Sequence, residues 1–257
     1  MTDHVRIPRA RNAQPPRATD SSHRRTARVA GILYLLTFVS MPSLALYRPV
    51  KDADYVLRSG PDTAAVVGGL LEITIALAGI ATAVTLFPIL KKQNESFALG
   101  LVAARILESA TIFVGVAFLL SIVTLRRDGA GSDALVTTHA LTALYDRIFL
   151  LGQSFMPAVC DLLLGYLLYR SRLVPRGLAV IGLAGGPVLV IGYLAIMFGG
   201  VAQHGAVAGL SAVLVAVFEF SLGVWLIVRG FDPDAVAALD GTPAPVEGSP
   251  RMPADAS

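Results

Sequence analysis

The chain has 257 residues, of which 54% are hydrophobic and only 15% are charged, against about 25% charged in an ordinary soluble domain. Long stretches between Val29 and Val228 carry almost no charge. Their length suits a bilayer crossing, which argues against a soluble enzyme, a nucleic-acid-binding protein and a disordered chain. The net charge of +3 needs no nucleic-acid partner, because membrane topology explains the basic residues.

Six apolar segments predict an all-α fold, a six-helix transmembrane bundle. Each reaches or exceeds the ~20 residues that a helix needs to cross ~30 Å of hydrocarbon at 1.5 Å per residue. Helices satisfy their own backbone groups in lipid, and the short alternating segments of a barrel do not occur. We expect the helices at about 29–47, 63–90, 97–125, 136–169, 177–198 and 206–228.

The two ends of the chain differ from this central part. Residues 1–27 are polar and basic and predict a disordered N-terminal tail, and residues 232–257 predict a disordered C-terminal tail. The membrane domain is expected to occupy 28–231. The C-terminal tail has one candidate helical turn at its start, with Asp232 as the cap and Pro233 at the first position.

The first segment leaves an alternative open. A basic stretch at 23–25 precedes the apolar run, and the small residues at 41–45 resemble a signal-peptide cleavage site. Cleavage there would start the mature protein at Leu46 and remove the first helix. The long basic region and an apolar run that spans a bilayer favour an uncleaved helix.

Lysine and arginine counts predict that both termini lie in the cytoplasm. The arginine-rich N-terminal tail, Lys91, Lys92 and the loop at 170–176 would then share the cytoplasmic side. The outer loops hold only Arg48, Lys51, Arg58, Arg126 and Arg127.

Ionisable residues inside the apolar segments are the candidate functional residues, because they are costly in lipid and usually face a partner or a water-filled cavity. Arg105 and Glu108 are three residues apart and share a helix face. Arg105, Asp161 and Glu219 each lie eight or nine residues from the same side of the bundle, roughly 12–14 Å deep. Three interpretations stay open: a buried ion-pair network that fixes helix register, a pathway for a solute or proton, and a catalytic site embedded in the membrane.

Two further polar positions lie closer to the other side. Glu72 lies in a stripe of small residues, and Arg147 is its predicted partner unless Arg147 lies at the membrane interface. Gln153 precedes Pro157, which removes a backbone bond to the Gln153 carbonyl and predicts a kink. A Gly-Gly-Pro sequence at 185–187 fits either an unwound point with free carbonyls or a packing kink.

The hypothetical binding cluster therefore comprises Arg105, Glu108, Asp161, Glu219, Glu72 and Gln153. No nucleophile motif or metal-ligand spacing occurs in the sequence, so we predict no catalytic residues, no metal and no cofactor. The sequence disfavours enzymatic activity but leaves it open. Cys160 is interpreted as a small packing residue. The expected partners are the lipid bilayer and a small solute or proton, with no nucleic acid.

Several stretches are similar to a known family. They are 28–34, 86–91, 104–108, 167–177, Glu219, 223–227 and 230–231. Over about residues 25–231 the chain resembles the DUF4386 family of bacterial integral membrane proteins, most specifically in the Arg-x-x-Glu at 105–108 and the loop at 167–177. The resemblance implies a multi-pass protein of the bacterial inner membrane and no particular activity. It draws attention to Arg105, Glu108 and Glu219.

The leading functional hypothesis is a small-solute or proton-coupled transporter. A carboxyl group of Glu219 or Asp161 would exchange a proton while Arg105 holds the other acids or an anionic group. One alternative is a structural or accessory protein that associates through small-residue helix faces, which predicts a sealed bundle. The other is a lipid-modifying enzyme, which needs a polar site open to one leaflet. A pocket that reaches Glu108 and Glu219 would discriminate among these hypotheses.

Overall fold

The computed structural model describes residues 18–39, 42–203 and 205–241, and all regular structure in these ranges is helical, as predicted. The helices are α1 (Ala18–Val39), α2 (Ser43–Tyr47), α3 (Thr63–Leu90), α4 (Glu95–Arg127), α5 (Leu135–Phe149), α6 (Met156–Ser171), α7 (Arg176–Met197), α8 (Ala206–Val228) and α9 (Pro233–Leu239). Short 3-10 turns follow α2 and precede α5.

A search of the described residues finds six candidate spans that are long and apolar enough to cross a membrane, which confirms the predicted number. They are Ser21–Lys51, Thr63–Leu90, Glu95–Arg127, Gly131–Ser171, Arg176–Met197 and Ala206–Val228. Large apolar side chains cover their outer surface; Leu70, Ile191 and Leu210 are 59%, 67% and 72% exposed. An apolar outer surface of this kind suits contact with lipid tails.

The spanning helices form a closed ring. In order around the ring, α1 packs against α3, α3 against α4, α4 against α6, α6 against α7, α7 against α8, and α8 against α1. We call the side with the α3–α4 turn, the α6–α7 turn and the end of α8 the N-terminal face. The side with the connections at 48–62, 128–134 and 198–205 is the opposite face.

Glycines on α7 bring this helix close to both of its neighbours. A Cβ atom at Gly182 would lie 2.7 Å from the Phe218 ring of α8, and one at Gly186 would lie 2.6 Å from Leu162 of α6. The helix continues without interruption through Pro187. The unwound interpretation of the Gly-Gly-Pro sequence is therefore wrong, because these glycines serve close helix packing.

The fourth span is irregular where Pro157 predicts a break. Residues Leu150–Phe155 form a π-helical segment between α5 and α6, since the proline cannot donate to the Gln153 carbonyl. This segment lies against α4, because a Cβ atom at Gly152 would fall only 1.9 Å from the Thr111 Oγ1 atom. Side chains on either side of the segment are thereby set at a different angle from those of a regular helix.

The N-terminal boundary of the helical domain differs from the prediction. Helix α1 begins at Ala18, ten residues before the expected start at residue 28. The Arg24 guanidinium explains this extension, because it donates to the backbone oxygens of Val228 at 3.0 Å and Arg229 at 2.9 Å. These carbonyls at the end of α8 lack helical partners, so Arg24 acts as their cap.

The C-terminal boundary differs as well. The predicted cap is present, since the Asp232 side chain accepts a hydrogen bond from the Ala235 amide with Pro233 at the first position. Beyond the predicted turn, the helix continues to Leu239. Val236 is buried against the bundle, which explains why this segment is helical where the sequence predicts disorder. Residues 1–17 and 242–257, for which the sequence predicts disorder, lie outside the described residues.

Candidate functional site

One guanidinium group joins two spanning helices near the N-terminal face. Arg105 Nη1 donates to Glu108 Oε2 at 3.0 Å within α4, and Arg105 Nη2 forms an ion pair with Glu219 of α8. The three side chains are only 8%, 9% and 15% exposed. These ion pairs agree with the predicted shared helix face of Arg105 and Glu108 and with the predicted common depth of Arg105 and Glu219.

The wall behind Arg105 is made by small side chains of α3 and by Tyr34 of α1. A Cβ atom at Gly79 would lie 3.8 Å from Arg105 Cδ, so the small-residue stripe leaves room for the arginine. The Tyr34 ring centroid lies 6.0 Å from the guanidinium carbon, within cation–π range. Ser109 fixes α4 to α3 through a 2.8 Å hydrogen bond to the Ala76 carbonyl.

Sequence reasoning missed two residues of this site. Tyr34 lies at the end of the stretch 28–34, and the family resemblance of that stretch is the signal that could have drawn attention to it. Cys160 was interpreted only as a packing residue, yet its Sγ lies 3.6 Å from Glu108 Oε2 and donates to it. Its position beside Asp161 in the sequence would have placed it at the depth of the cluster.

Asp161 lies beside the cluster but outside its ion pairs. The side chain is fully buried, and neither carboxyl oxygen has a hydrogen-bond partner among the described residues. It interacts electrostatically with Glu219, Arg105 and Glu108. The predicted common depth is supported, whereas direct pairing of Asp161 with Arg105 is absent from the described ion pairs.

Glu72 forms a second buried site nearer the opposite face. It is fully buried and accepts a 3.4 Å hydrogen bond from the Tyr145 hydroxyl, while Tyr47 and Gln153 also face its carboxyl group. The prediction that Arg147 pairs with Glu72 is wrong. Arg147 is exposed. The residue of α5 that donates a hydrogen bond to Glu72 is Tyr145.

Ion pairs at the opposite face join Asp62, which lies in the connection at 48–62, to the end of α4. Asp62 accepts from the Tyr55 hydroxyl at 2.6 Å and lies 2.6 Å from Arg126 and 2.8 Å from Arg127. Burial would raise the pKa of Asp62, but the hydrogen bonds from Tyr55 and Arg127 and the charge of Arg126 outweigh it and hold that pKa below its ordinary value. Burial and the bond to Asp62 raise the pKa of Tyr55 to about 12.

A cavity of about 480 Å³ occupies the centre of the ring. Its floor includes the carboxyl groups of Glu108 and Glu219, and Gln153 lines its side. Towards the opposite face it extends to Gln203 and Gly205 in the α7–α8 connection. Every span contributes to its wall, which otherwise contains mainly apolar and small polar residues such as Thr37, Ile75, Ile112, Phe149, Ser154, Leu189, Tyr193 and Ser211.

A smaller space of about 60 Å³ shares Glu108 and Glu219 with this cavity. Tyr34, Thr82 and Arg105 also line the smaller space. Among the described residues that line the large cavity there is no lysine, arginine or histidine. Glu108 and Glu219 therefore line both spaces, whereas Arg105, which pairs with them, lines only the smaller one.

The description "Domain of unknown function (DUF4386)" belongs to a family model that matches residues 29–230, most of the chain. The chain belongs to the DUF4386 family. The matched DUF4386 region contains Arg105, Glu108, Glu219 and the central cavity, whereas α9 follows it. No curated protein and no solved structure matches the chain.

Proposed function

We propose that this DUF4386 protein is a membrane transporter for a small organic cation. The observation that carries the proposal is the central cavity, whose floor is formed by Glu108 and Glu219. Acidic residues inside membrane spans characteristically line solute and ion pathways. A volume of about 480 Å³ lies within the range of small-molecule sites, ~300–1,000 Å³.

The walls of the cavity suit a cation with an apolar body. Phe149 and Tyr193 provide aromatic surface, and the aliphatic residues of α7 and α8 provide most of the remainder. The single guanidinium of Arg105 forms ion pairs with both Glu108 and Glu219. Its one positive charge cannot neutralise two ionised carboxylates. A solute cation at the cavity floor would supply the additional positive charge.

Proton coupling follows from the same charge count. When the cavity holds no solute cation, a proton on Glu219 or on the neighbouring Asp161 takes its place, so that solute entry and proton release are linked.

We place both termini in the cytoplasm of a bacterial cell and the protein in the inner membrane, on the distribution of lysine and arginine. The cavity then extends towards the outer side.

The accessory-protein hypothesis has less support, because it predicts a sealed bundle and a cavity reaches the acidic pair. A lipid-modifying enzyme would need this polar site to open sideways to one leaflet. Transport explains both the central position of the cavity within the ring and its extension to the α7–α8 connection.

Reconstituted vesicles provide the test. The full chain is placed in liposomes, and uptake of radiolabelled 1-methyl-4-phenylpyridinium is measured under an imposed pH gradient. We expect uptake that Glu219→Gln and Glu108→Gln abolish. Glu95→Gln is the matched control, because Glu95 lies on the same helix but is exposed at its first turn.

Two results would contradict the proposal. One is uptake no greater than that of empty liposomes over a range of pH gradients. The other is a pH-dependent flux that Arg105→Ala and Glu219→Gln leave unaltered. Uptake of p-toluenesulfonate, an anion of similar size, in place of the cation would overturn the assigned charge of the solute.

A further inference from the structure

A separate cleft of about 610 Å³ lies at the N-terminal face, between the α6–α7 turn, the end of α8 and the start of α9. Three arginines line it: Arg172 and Arg176 from the turn and Arg229 from the end of α8. The turn belongs to the loop at 167–177, one of the two most specific stretches of the family resemblance. The central cavity involves no part of this loop.

The arginines of this cleft are not neutralised by ion pairs. None of the three forms a salt bridge with a carboxylate of the described residues. Asp232 is the one acid that lines the cleft, and its carboxylate caps α9 by accepting from the Ala235 amide. The cleft therefore concentrates positive charge on exposed side chains.

The turn holds Arg172 in an unusual backbone conformation, and the helix that follows it favours an anion. Arg172 has φ 59°, the only positive φ of a residue other than glycine in the described ranges. This left-handed conformation is unfavourable for a side chain of its size, and it ends α6 with the Arg172 amide bonded to the Leu168 carbonyl. Helix α7 begins at Arg176, so the positive end of its dipole lies at the cleft.

We infer that this cleft binds the headgroup phosphate of an anionic phospholipid from the leaflet at the N-terminal face. Guanidinium groups pair with phosphate oxygens through two parallel hydrogen bonds. The cleft lies at the ends of the spanning helices α6, α7 and α8, the level at which headgroups lie in a bilayer. Trp225 lines the same cleft, and tryptophan is typical of this interface.

Trp225 also makes the inference measurable, because it is the only tryptophan of the chain. Its fluorescence is recorded for the full chain in detergent micelles that contain brominated phosphatidylglycerol or, at the same mole fraction, brominated phosphatidylcholine. Bromine quenches tryptophan on contact, so quenching reports occupancy of the cleft. We expect half-maximal quenching at a lower mole fraction of the anionic lipid.

Substitution of the arginines tests whether they cause the preference for phosphatidylglycerol over phosphatidylcholine. Arg172→Gly removes the charge and keeps a backbone that tolerates positive φ, and Arg229→Gln removes a second charge. Each is expected to weaken phosphatidylglycerol quenching about fivefold, since a basic residue near an anionic surface contributes about 1 kcal/mol. Arg170→Gln is the matched control, because Arg170 is exposed nearby but does not line the cleft.

Three results would overturn the inference: equal quenching by both lipids, unchanged quenching in Arg172→Gly and Arg229→Gln, or an equal loss in Arg170→Gln. Relief of quenching by millimolar inorganic phosphate would make this a site for free phosphate and also overturn the lipid assignment. The emission maximum without brominated lipid verifies that each variant is folded, and Arg176→Gln replaces any variant that is not.

Discussion

The bundle stabilises its buried carboxyl groups in two different ways. Near the N-terminal face, Glu108 and Glu219 share the guanidinium of Arg105, whereas nearer the opposite face Glu72 receives a hydrogen bond from the phenol of Tyr145. The first site depends on an opposite charge and the second on neutral donors. Loss of a partner should therefore be much more damaging at the first site than at the second.

The largest effect is expected from Arg105→Met, which leaves two carboxyl groups buried without their cation. Breaking a buried ion pair on one side typically costs about 3–5 kcal/mol, so the unfolding temperature in detergent should fall steeply. Adding Glu108→Gln and Glu219→Gln should recover much of the loss, because the uncompensated charge is removed. Arg147→Met is the control at an exposed arginine, and an equal loss there would contradict the comparison.

The next effect concerns the close packing of Gly152 against α4, at a position between the two sites. Gly152 contacts α4 beside the acidic pair, and its neighbour Gln153 faces Glu72. Gly152→Ala places a methyl group 1.9 Å from Thr111 Oγ1, and such overpacking costs about 1–3 kcal/mol. Gly209→Ala has no neighbour within 4 Å and should leave thermal unfolding unchanged. Equal behaviour of the two variants would show that the contact is not tight.

A smaller effect is expected at the neutral site. Tyr145→Phe removes the donor to Glu72, and a typical net hydrogen bond contributes about 1 kcal/mol. In a double-mutant cycle with Glu72→Gln, the two substitutions should be non-additive in unfolding free energy. Tyr166→Phe, in α6 of the same span and not in contact with Glu72, is the control. Additive effects would mean that Tyr145 and Glu72 do not interact.

The smallest effect concerns Asp62, which lies outside the spans. Its pKa is lower in the folded chain than the ordinary 3.8, so its ion pairs stabilise the fold above that pH and lose this contribution as the pH falls through the folded value. The unfolding temperature of Asp62→Asn should lie below that of the natural chain at pH 6, and the difference should shrink below about pH 4. A difference that grows on acidification would contradict this sign.

The sequence was sufficient to predict the grouping of Arg105, Glu108 and Glu219 in the first site, but it did not predict the partner of Glu72 in the second. Arg105 and Glu219 lie on straight spans, where a fixed rise per residue converts sequence distance into depth. Glu72 meets α5 next to the π-helical segment, where the regular helix period no longer applies. Its partner Tyr145 is also an uncharged residue, so a search for complementary charges favours Arg147 instead.

Other differences have a similar origin. A Gly-Gly-Pro sequence carries the same composition whether a helix unwinds or packs closely, and only the neighbours Phe218 and Leu162 decide between the two. The extension of α1 to Ala18 depends on a contact between Arg24 and the end of α8, more than 200 residues away. No local pattern contains such information.

Helix α9 has a mechanical consequence. It is tied to the α3–α4 turn by the ion pair between Lys92 and Asp240, and to the α6–α7 turn by the 2.9 Å bond from the Asp232 amide to the Leu173 carbonyl. Helix α9 therefore connects the α3–α4 helix pair to the α6–α7 helix pair at the N-terminal face. If one helix pair moves relative to the other, at least one of these two contacts must lengthen or break. Movement of the spans is therefore coupled to α9, which follows α8 in the chain.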